Sequence, residues 1–294
     1  TPLYSSAASD VYKRQRDTTS SQGVIEFDNQ NFSPDEVVKF GQMTRTTLTP
    51  ATPDHILGPN DPNDPQIEAE LDVQMIAAID DKAENWFWLE PDASAWLYSF
   101  AIHFFATDKV ALVNSISYGW WEGDQCSVTD DECVDSFEYV TRVNAEFSKI
   151  ALRGISLLSA SGDSGVHGRT DPMCTAFKFR PDFPGSSPWV TSVGGTQLVN
   201  GTVLPNPPAI CTAIPVTCAA SGSEEAVSVS KSEYTSGGGF SQVAPMPAWQ
   251  RWDVLNYLVH GHHHGEDHLP PSSFYNKSNR AYPDVSGIGS DFLI

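Results

Sequence analysis

Two short runs carry residue types that can move protons or attack a carbonyl carbon. One is Ser159-Ala160-Ser161-Gly162-Asp163-Ser164-Gly165, whose Gly-Asp-Ser-Gly letters can surround a nucleophilic serine, here Ser164. The other is Glu68-Ala69-Glu70-Leu71-Asp72. On a helix Glu68 and Asp72, four residues apart, share a face, while Glu70 points roughly the opposite way. Two carboxylates stacked on one face repel, which on a solvated helix is a mildly unfavourable surface pair. Facing a site, the same repulsion lets one carboxyl hold a shared proton and drives the pair's apparent pKa values apart, producing a general base with an orienting partner.

The elements around these runs alternate. Val24-Ile25-Glu26-Phe27 reads as a short strand, and Ser33-Pro34-Asp35-Glu36 as a helix start with an N-cap serine, proline at the first helical position and a glutamate three residues on. Asp64-Pro65 opens a second helix that runs to Ile79, a third pattern spans Ala93 to Phe105, and Val110 to Ser117 reads as a buried strand. From Ser136 to Leu152, Phe137, Val140, Val143, Phe147 and Ile150 fall on one helix face, and Gly154 supplies the stop. Ile155 to Ala160 and Trp189 to Val193 are further strands, whereas residues 200–235 are small and polar and read as loop with at most a hairpin. Strands separated by helices of this length predict right-handed crossovers and a mostly parallel sheet covered on both faces, an α/β fold. In such a sheet sites form at the carboxyl ends of the strands, where Ser117-Tyr118-Gly119 and Ser161-Gly162-Asp163-Ser164-Gly165 both fall.

The 294 residues hold 40% hydrophobic side chains, enough for a core, and a formal charge of −20 that repels phosphate backbones and anionic membranes. No nucleic-acid or membrane partner is expected, and no run is long and apolar enough to span a bilayer. Cys126, Cys133, Cys174, Cys211 and Cys218 lack zinc-site spacing and read as disulfide formers whose connectivity the sequence leaves open. Three sequons, at Asn31, Asn200 and Asn276, point with the cysteines to a secreted or lysosomal/vacuolar protein. Asp10 to Gln15, DVYKRQ, resembles the translation of a sequencing-library adapter, so residues 1–20 are expected to be a disordered, non-native leader. Five histidines fall between His260 and His268; a flexible Gly/His surface loop outweighs a metal site there, and no metal ligand is assigned within the chain.

Longer runs occur in a fixed order: Glu68-x-x-x-Asp72-Val73-Gln74, Ser117-Tyr118-Gly119, Ser161 to Gly165, Phe179-Arg180-Pro181-x-Phe183-Pro184-x-Ser186-Ser187-Pro188, Val193-Gly194-Gly195-Thr196, Ser236-Gly237-Gly238-Gly239-Phe240-Ser241, Leu269-Pro270-Pro271-Ser272-Ser273 and Arg280-Ala281-Tyr282-Pro283-Asp284-Val285. From about Gly23 to Ile294 the sequence resembles the sedolisins, or serine-carboxyl peptidases, most closely their tripeptidyl-peptidase branch. The resemblance implies a subtilisin-like fold and hydrolysis of peptide bonds at acidic pH. It makes Glu68 the general base, Asp72 its orienting partner and Asp163 a lining of the oxyanion hole, with Ser117-Tyr118-Gly119 pairing with substrate backbone as an added strand. Asp163, and not Ser164, is then the functional residue of the opening run. The chemistry agrees, because an aspartate donates to an oxyanion only when protonated, while a carboxylate of pKa about 4–5 can still accept a proton in a medium where histidine is already charged.

Sedolisins carry their nucleophile in a Gly-Thr-Ser segment beyond the Pro-Asp-Val strand, followed by a calcium site, and begin as precursors with a propeptide. Here the Gly-Thr pairs run into Gln197 and Val203. The expectation is therefore that residues 21–294 form a peptidase domain truncated before its serine and calcium ligands, inactive as written and without a cofactor of its own. A peptide or protein substrate and the propeptide are the expected partners of a monomer. The alternative is a non-catalytic relative that keeps the fold to bind peptides or a partner. A chymotrypsin-type protease using Ser164 would need two β-barrels and an earlier histidine and aspartate in suitable loops, which this pattern does not offer.

Overall fold

The first strand, β1 (Ser21–Glu26), is buried on both faces, as a strand in the middle of a parallel sheet must be. Val24 packs on one face with Phe32, Val37, Ala69, Val73 and Phe87, and Ile25 packs on the other with Leu97, Phe100, Val143 and Phe147. Those contacts identify the covering layers: α1 (Pro34–Thr44) and α2 (Ile67–Ile79) lie over the Val24 face, α3 (Trp96–Ala106) and α4 (Ser136–Leu152) over the Ile25 face. This computed structural model describes residues 19–80, 82–91, 94–129, 133–213, 218–260 and 269–290.

The remaining strands of the main sheet are β2 (Ile56–Leu57), β3 (Glu84–Leu89), β4 (Val113–Ile116), β6 (Ser156–Ala160), β8 (Thr191–Val203), β9 (Ala219–Ala226) and β12 (Val285–Ile288). Their order is β12-β8-β6-β4-β1-β3-β2, every neighbour parallel, with β9 added antiparallel along β8. Two short antiparallel pairs flank it: β5 (Trp120–Trp121) with β7 (Asp182–Phe183), and β10 (Gly239–Pro245) with β11 (Asn279–Tyr282). The expected α/β architecture, with helices on both faces of a mostly parallel sheet, is the one observed.

Local expectations fared unevenly. The helix over Ser136–Leu152 has the predicted limits, and Gly154 follows it with a φ of +81°, a left-handed conformation that glycine adopts without strain. Ser33 takes the N-cap position of α1 without a side-chain cap bond; its own N–H instead donates to Glu70 Oε1 at 2.7 Å. The run Glu84–Leu89 carries two tryptophans and a phenylalanine and is a strand, although its aromatic run gives no alternation to betray it. Within the polar stretch 200–235, β8 runs on to Val203 and β9 pairs with it antiparallel, the strand pairing that the sequence allowed there as a hairpin, because Thr and Ser on an antiparallel pair can face water on one side.

Disulfides join Cys126 to Cys133 and Cys211 to Cys218, leaving Cys174 free and exposed. One of the three sequons is closed by the fold. Asn31 is buried, and its side chain accepts from the Asp61 N–H and donates to the Asp64 carbonyl, so folded chain offers glycosylation only the exposed Asn200 and Asn276. The helix α4 is anchored by Phe147, fully buried with its ring stacked on Phe183 at 6.0 Å. Phe147→Ala should cost about 3–5 kcal/mol, seen as a lower urea midpoint with an unchanged denaturant slope.

Candidate active site

Parallel strands deliver their last residues to one edge of the sheet, and four acids gather there. Glu26 ends β1 and is fully buried, accepting a 2.7 Å hydrogen bond from the Tyr118 hydroxyl. Tyr118 belongs to the segment that leaves β4, and its ring meets Phe27 edge-on at 5.1 Å. Glu68 and Asp72 reach the same place from α2, which lies beside β1. The neighbouring Glu70 accepts from Ser33 N–H and, at 2.8 Å, from Gln74, so it ties α2 to the start of α1 and takes no part in the cluster.

Burial governs the protonation of this group. Desolvation, then the charges of Asp72 and Glu68, push Glu26 up to about 9 against the opposing hydrogen bond from Tyr118. Desolvation likewise pushes Asp72 to about 7, with Glu68 adding to the rise and a hydrogen bond from Ser117 opposing it. Asp72 Oδ2 is buried without a hydrogen-bond partner among the described residues, which further favours the protonated form. Glu68 is half-buried and raised above the ordinary glutamate value, first by desolvation and then by the charge of Asp163, with Arg169 opposing.

Asp163 sits on the exit of β6, a strand hydrogen-bonded to β4. Its side chain is 60% exposed and lies 3.6 Å from Arg169 Nη2. The turn that carries it is locked by a second glycine-rich run. Gly237 N–H donates to the Gly162 carbonyl, Thr235 N–H to the Asp163 carbonyl, and the buried Ser161 hydroxyl to the Gly237 carbonyl at 2.9 Å. Gly162 has a φ of +102°, and a Cβ there would lie 2.0 Å from Asp182 Oδ2; a Cβ on Gly237 would lie 1.9 Å from the Ser161 carbonyl oxygen. Asp182, buried in β7 beneath this turn, is pushed to about 7 by desolvation, with Arg169 opposing and Asp163 and Glu122 adding to the rise.

The structure thus brings Glu68, Asp72, Ser117 and Tyr118 together, with Asp163 near enough for its charge to act on Glu68. The side chains of Ser117 and Tyr118 are committed to Asp72 and Glu26, so any pairing with a substrate strand falls to their backbone and to Gly119. Trp121 faces elsewhere: with Phe179, Arg180, Phe240 and Tyr275 it lines a hollow of about 750 Å³ that none of these acids borders. Ser164 is half-buried, and no hydrogen bond joins its hydroxyl to a histidine among the described residues. His167 instead bonds Asp171 at 2.9 Å and meets Phe179 and Phe274 edge-on. A double β-barrel is absent from the described architecture, so the chymotrypsin-type reading of Gly-Asp-Ser-Gly fails. The histidine run from Gly261 to His268 lies outside the described residues. Sequence reasoning missed Glu26, Asp182 and Arg169; for Glu26 the available signal was an acid inside an otherwise apolar strand.

No family model matches the chain. In sequence it is 40% identical to physarolisin of Physarum polycephalum over 285 residues and 32% identical to tripeptidyl-peptidase 1 of Rattus norvegicus over 286 residues, each alignment covering 94% of this chain. The chain spans less than half the length of these relatives, 47% and 43% respectively. Its structure is similar to that of a Pseudomonas sedolisin, a serine-carboxyl proteinase solved with two molecules of pseudo-iodotyrostatin, with a TM-score of 0.63 at 19% identity over 95% of this chain and 68% of that one.

Glu26, Asp72, Asp182 and Glu122, the last also pushed to about 7 by burial, all bind protons more tightly folded than unfolded. Stability from these groups is therefore fully present below the unfolded values near 4 and is lost as pH rises through 7 and towards 9. The urea midpoint should be higher at about pH 4.5 than at about pH 7.5, by the equivalent of at least ~2 kcal/mol, and Glu26→Gln should flatten that slope. A midpoint higher at the neutral end would contradict the assignment.

Proposed function

We propose that this chain, which belongs to the sedolisin family, carries the acid–base half of a serine-carboxyl peptidase that cleaves peptide bonds in an acidic medium. The observation that carries the reading is the convergence of Glu68 and Asp72, on one face of α2, with Asp163 in the turn after β6, near enough for its charge to act on Glu68. In this reading Glu68 takes the proton of a serine hydroxyl supplied from outside these residues, and Asp72, held by Ser117 and backed by Glu26, orients it. Asp163, protonated, donates to the oxyanion that forms as the serine attacks, and the proton on Glu68 then passes to the leaving amine.

Its raised proton affinity suits Glu68 to both halves of that cycle. Calcium belongs to this proposal only by family resemblance. Among the described residues no group of three or more His, Cys, Asp and Glu side chains converges where a metal ion could sit, so no step is routed through it. Two disulfides and the exposed sequons at Asn200 and Asn276 support an oxidising, secretory or lysosomal setting. A peptide or protein is the substrate, with the propeptide of a precursor as a further partner.

The test uses the whole protein and an uncharged peptide, assayed from acidic to neutral pH. Glu68→Gln, Asp72→Asn and Asp163→Asn should each lower kcat/KM by about 100-fold or more, whereas Ser164→Ala should change it only a few-fold. Peptide binding without cleavage by the wild-type protein would make it a non-catalytic relative. Full activity in Glu68→Gln, or its abolition in Ser164→Ala, would overturn the assignment of roles.

A further inference from the structure

The hollow of about 750 Å³ beside β5 and β10 has a lining unlike the rest of this acidic chain. Seven of the fourteen residues around it are aromatic, and Tyr275 stacks on Phe179 at 5.7 Å and on Phe240 at 4.6 Å. The charged residues of the lining are Lys178 and Arg180, both cations, in a chain where 37 acids face 17 lysines and arginines. Neither has a carboxylate partner among the described residues. Arg180 Nη1 donates to the Thr170 carbonyl at 2.6 Å and to the Thr170 hydroxyl at 2.9 Å, and the guanidinium stands 4.7 Å from the centre of the Trp121 ring. Its Nε and Nη2 donors are left over. Glu122, which accepts from Ser241 behind this wall, is taken up by its own donors. Gln242 Nε2 donates to the Phe179 carbonyl at 2.9 Å, which leaves its Oε1 buried with no partner among the described residues.

We propose that this hollow binds the C-terminal end of an apolar peptide, its carboxylate against Arg180 and Lys178 and its last side chains among the rings. Three features select that ligand. Unpaired cations beside apolar walls favour an anion, and a guanidinium with donors to offer matches the two oxygens of a carboxylate. The rings take apolar or aromatic side chains, and the volume falls within the usual range of small-ligand sites. Ser241, Ser273 and Gln242 set polar groups among the rings, which a main-chain amide satisfies and an alkyl chain does not. A peptide's terminal carboxyl, with a pKa of about 3.3–3.7, stays ionised through most of the acidic range. None of the carboxyls of the candidate site borders the hollow, so binding there does not depend on the peptidase reading. Under that reading, each cleavage creates a new end of this kind.

The test is a calorimetric titration of the whole protein with N-acetyl-Phe-Phe, a dipeptide whose carboxylate is free, at about pH 6 where that group is ionised. Saturable binding is expected, and the same dipeptide capped as its amide should bind about 10-fold or more weakly. Lys178 is exposed and Phe177 is 87% exposed, so substitutions there leave the fold alone. Lys178→Gln should weaken the acid about two- to five-fold and barely move the amide, whereas Phe177→Ser should weaken both. Decanoate, an anion without a main-chain amide, should bind less tightly than the dipeptide. Equal affinity for acid and amide overturns the proposal, as does decanoate that binds as tightly as the dipeptide, or the lack of saturable binding at millimolar dipeptide. Affinity unchanged in both Lys178→Gln and Phe177→Ser would put the dipeptide elsewhere on the molecule, which also overturns it. A protein that binds the dipeptide as expected but cleaves no peptide sinks the peptidase reading alone.

Discussion

The desolvation of carboxyl groups at the ends of parallel strands is the constraint to which this site answers. Glu26, Asp72 and Asp182 all have burial as the largest cause of their raised proton affinity, ahead of any single neighbouring charge. An ionised acid in such a place is tolerable only with compensating donors, and the donors here are few and specific: Tyr118 for Glu26, Ser117 for Asp72, Arg169 at a distance for Asp182. The cluster is thus built to hold protons, and the segment leaving β4 is shaped by it. Ser117 and Tyr118 turn their side chains inward to the acids, which leaves only main chain on the open side.

Holding the acids in register falls to backbone packing that tolerates no side chain. Ser161-Gly162 and Ser236-Gly237 approach so closely that methyl groups at either glycine would overlap neighbouring atoms, one of them the Asp182 carboxylate. Behind them Glu122, fully buried, accepts from Ser186, Ser241 and the Gln242 N–H, at 2.6, 2.7 and 2.6 Å. One carboxyl therefore ties the segment after β5 to β10 and to the turn after β7. The tie joins the Phe-Pro-x-Ser-Ser-Pro run to the Ser-Gly-Gly-Gly-Phe-Ser run, two stretches whose sequences show no local reason to meet. The fold satisfies Glu122 completely and Asp72 only in part, so its donors go first to the scaffold.

How much of this was legible depended on the range of the interactions. The face of α4 could be read because Val140, Val143, Phe147 and Ile150 repeat with the helix itself, and all four are buried; Phe137, at the first turn, is 42% exposed and was the one misjudged member. Glu68 and Asp72 could be paired for the same reason, as the relation lies within one turn of α2. Glu26 could not, since its partner Tyr118 comes from the segment after β4, 92 residues along the chain. Arg169 and Asp182 escaped for a related cause: a cation and an acid in polar loops look like solvated surface until the turn folds over them. The aromatic strand Glu84–Leu89 had the opposite fault, a local pattern too uniformly apolar to distinguish strand from helix.

The Gly-Asp-Ser-Gly letters show why a motif can be right in composition and wrong in role. A side chain that must project from the tip of a strand into a cleft needs small, permissive neighbours, whatever group it carries, because the chain has to reverse sharply without filling the space in front of it. Gly162 meets that demand with a φ of +102° and Gly165 with one of +61°. The residue projected between them is Asp163, whereas Ser164 contributes a main-chain bridge to Thr235. Glycines of this kind encode the geometry of presentation. The chemistry belongs to the partners brought up to the presented side chain, and here, among the described residues, those partners are the Arg169 guanidinium and carboxyls.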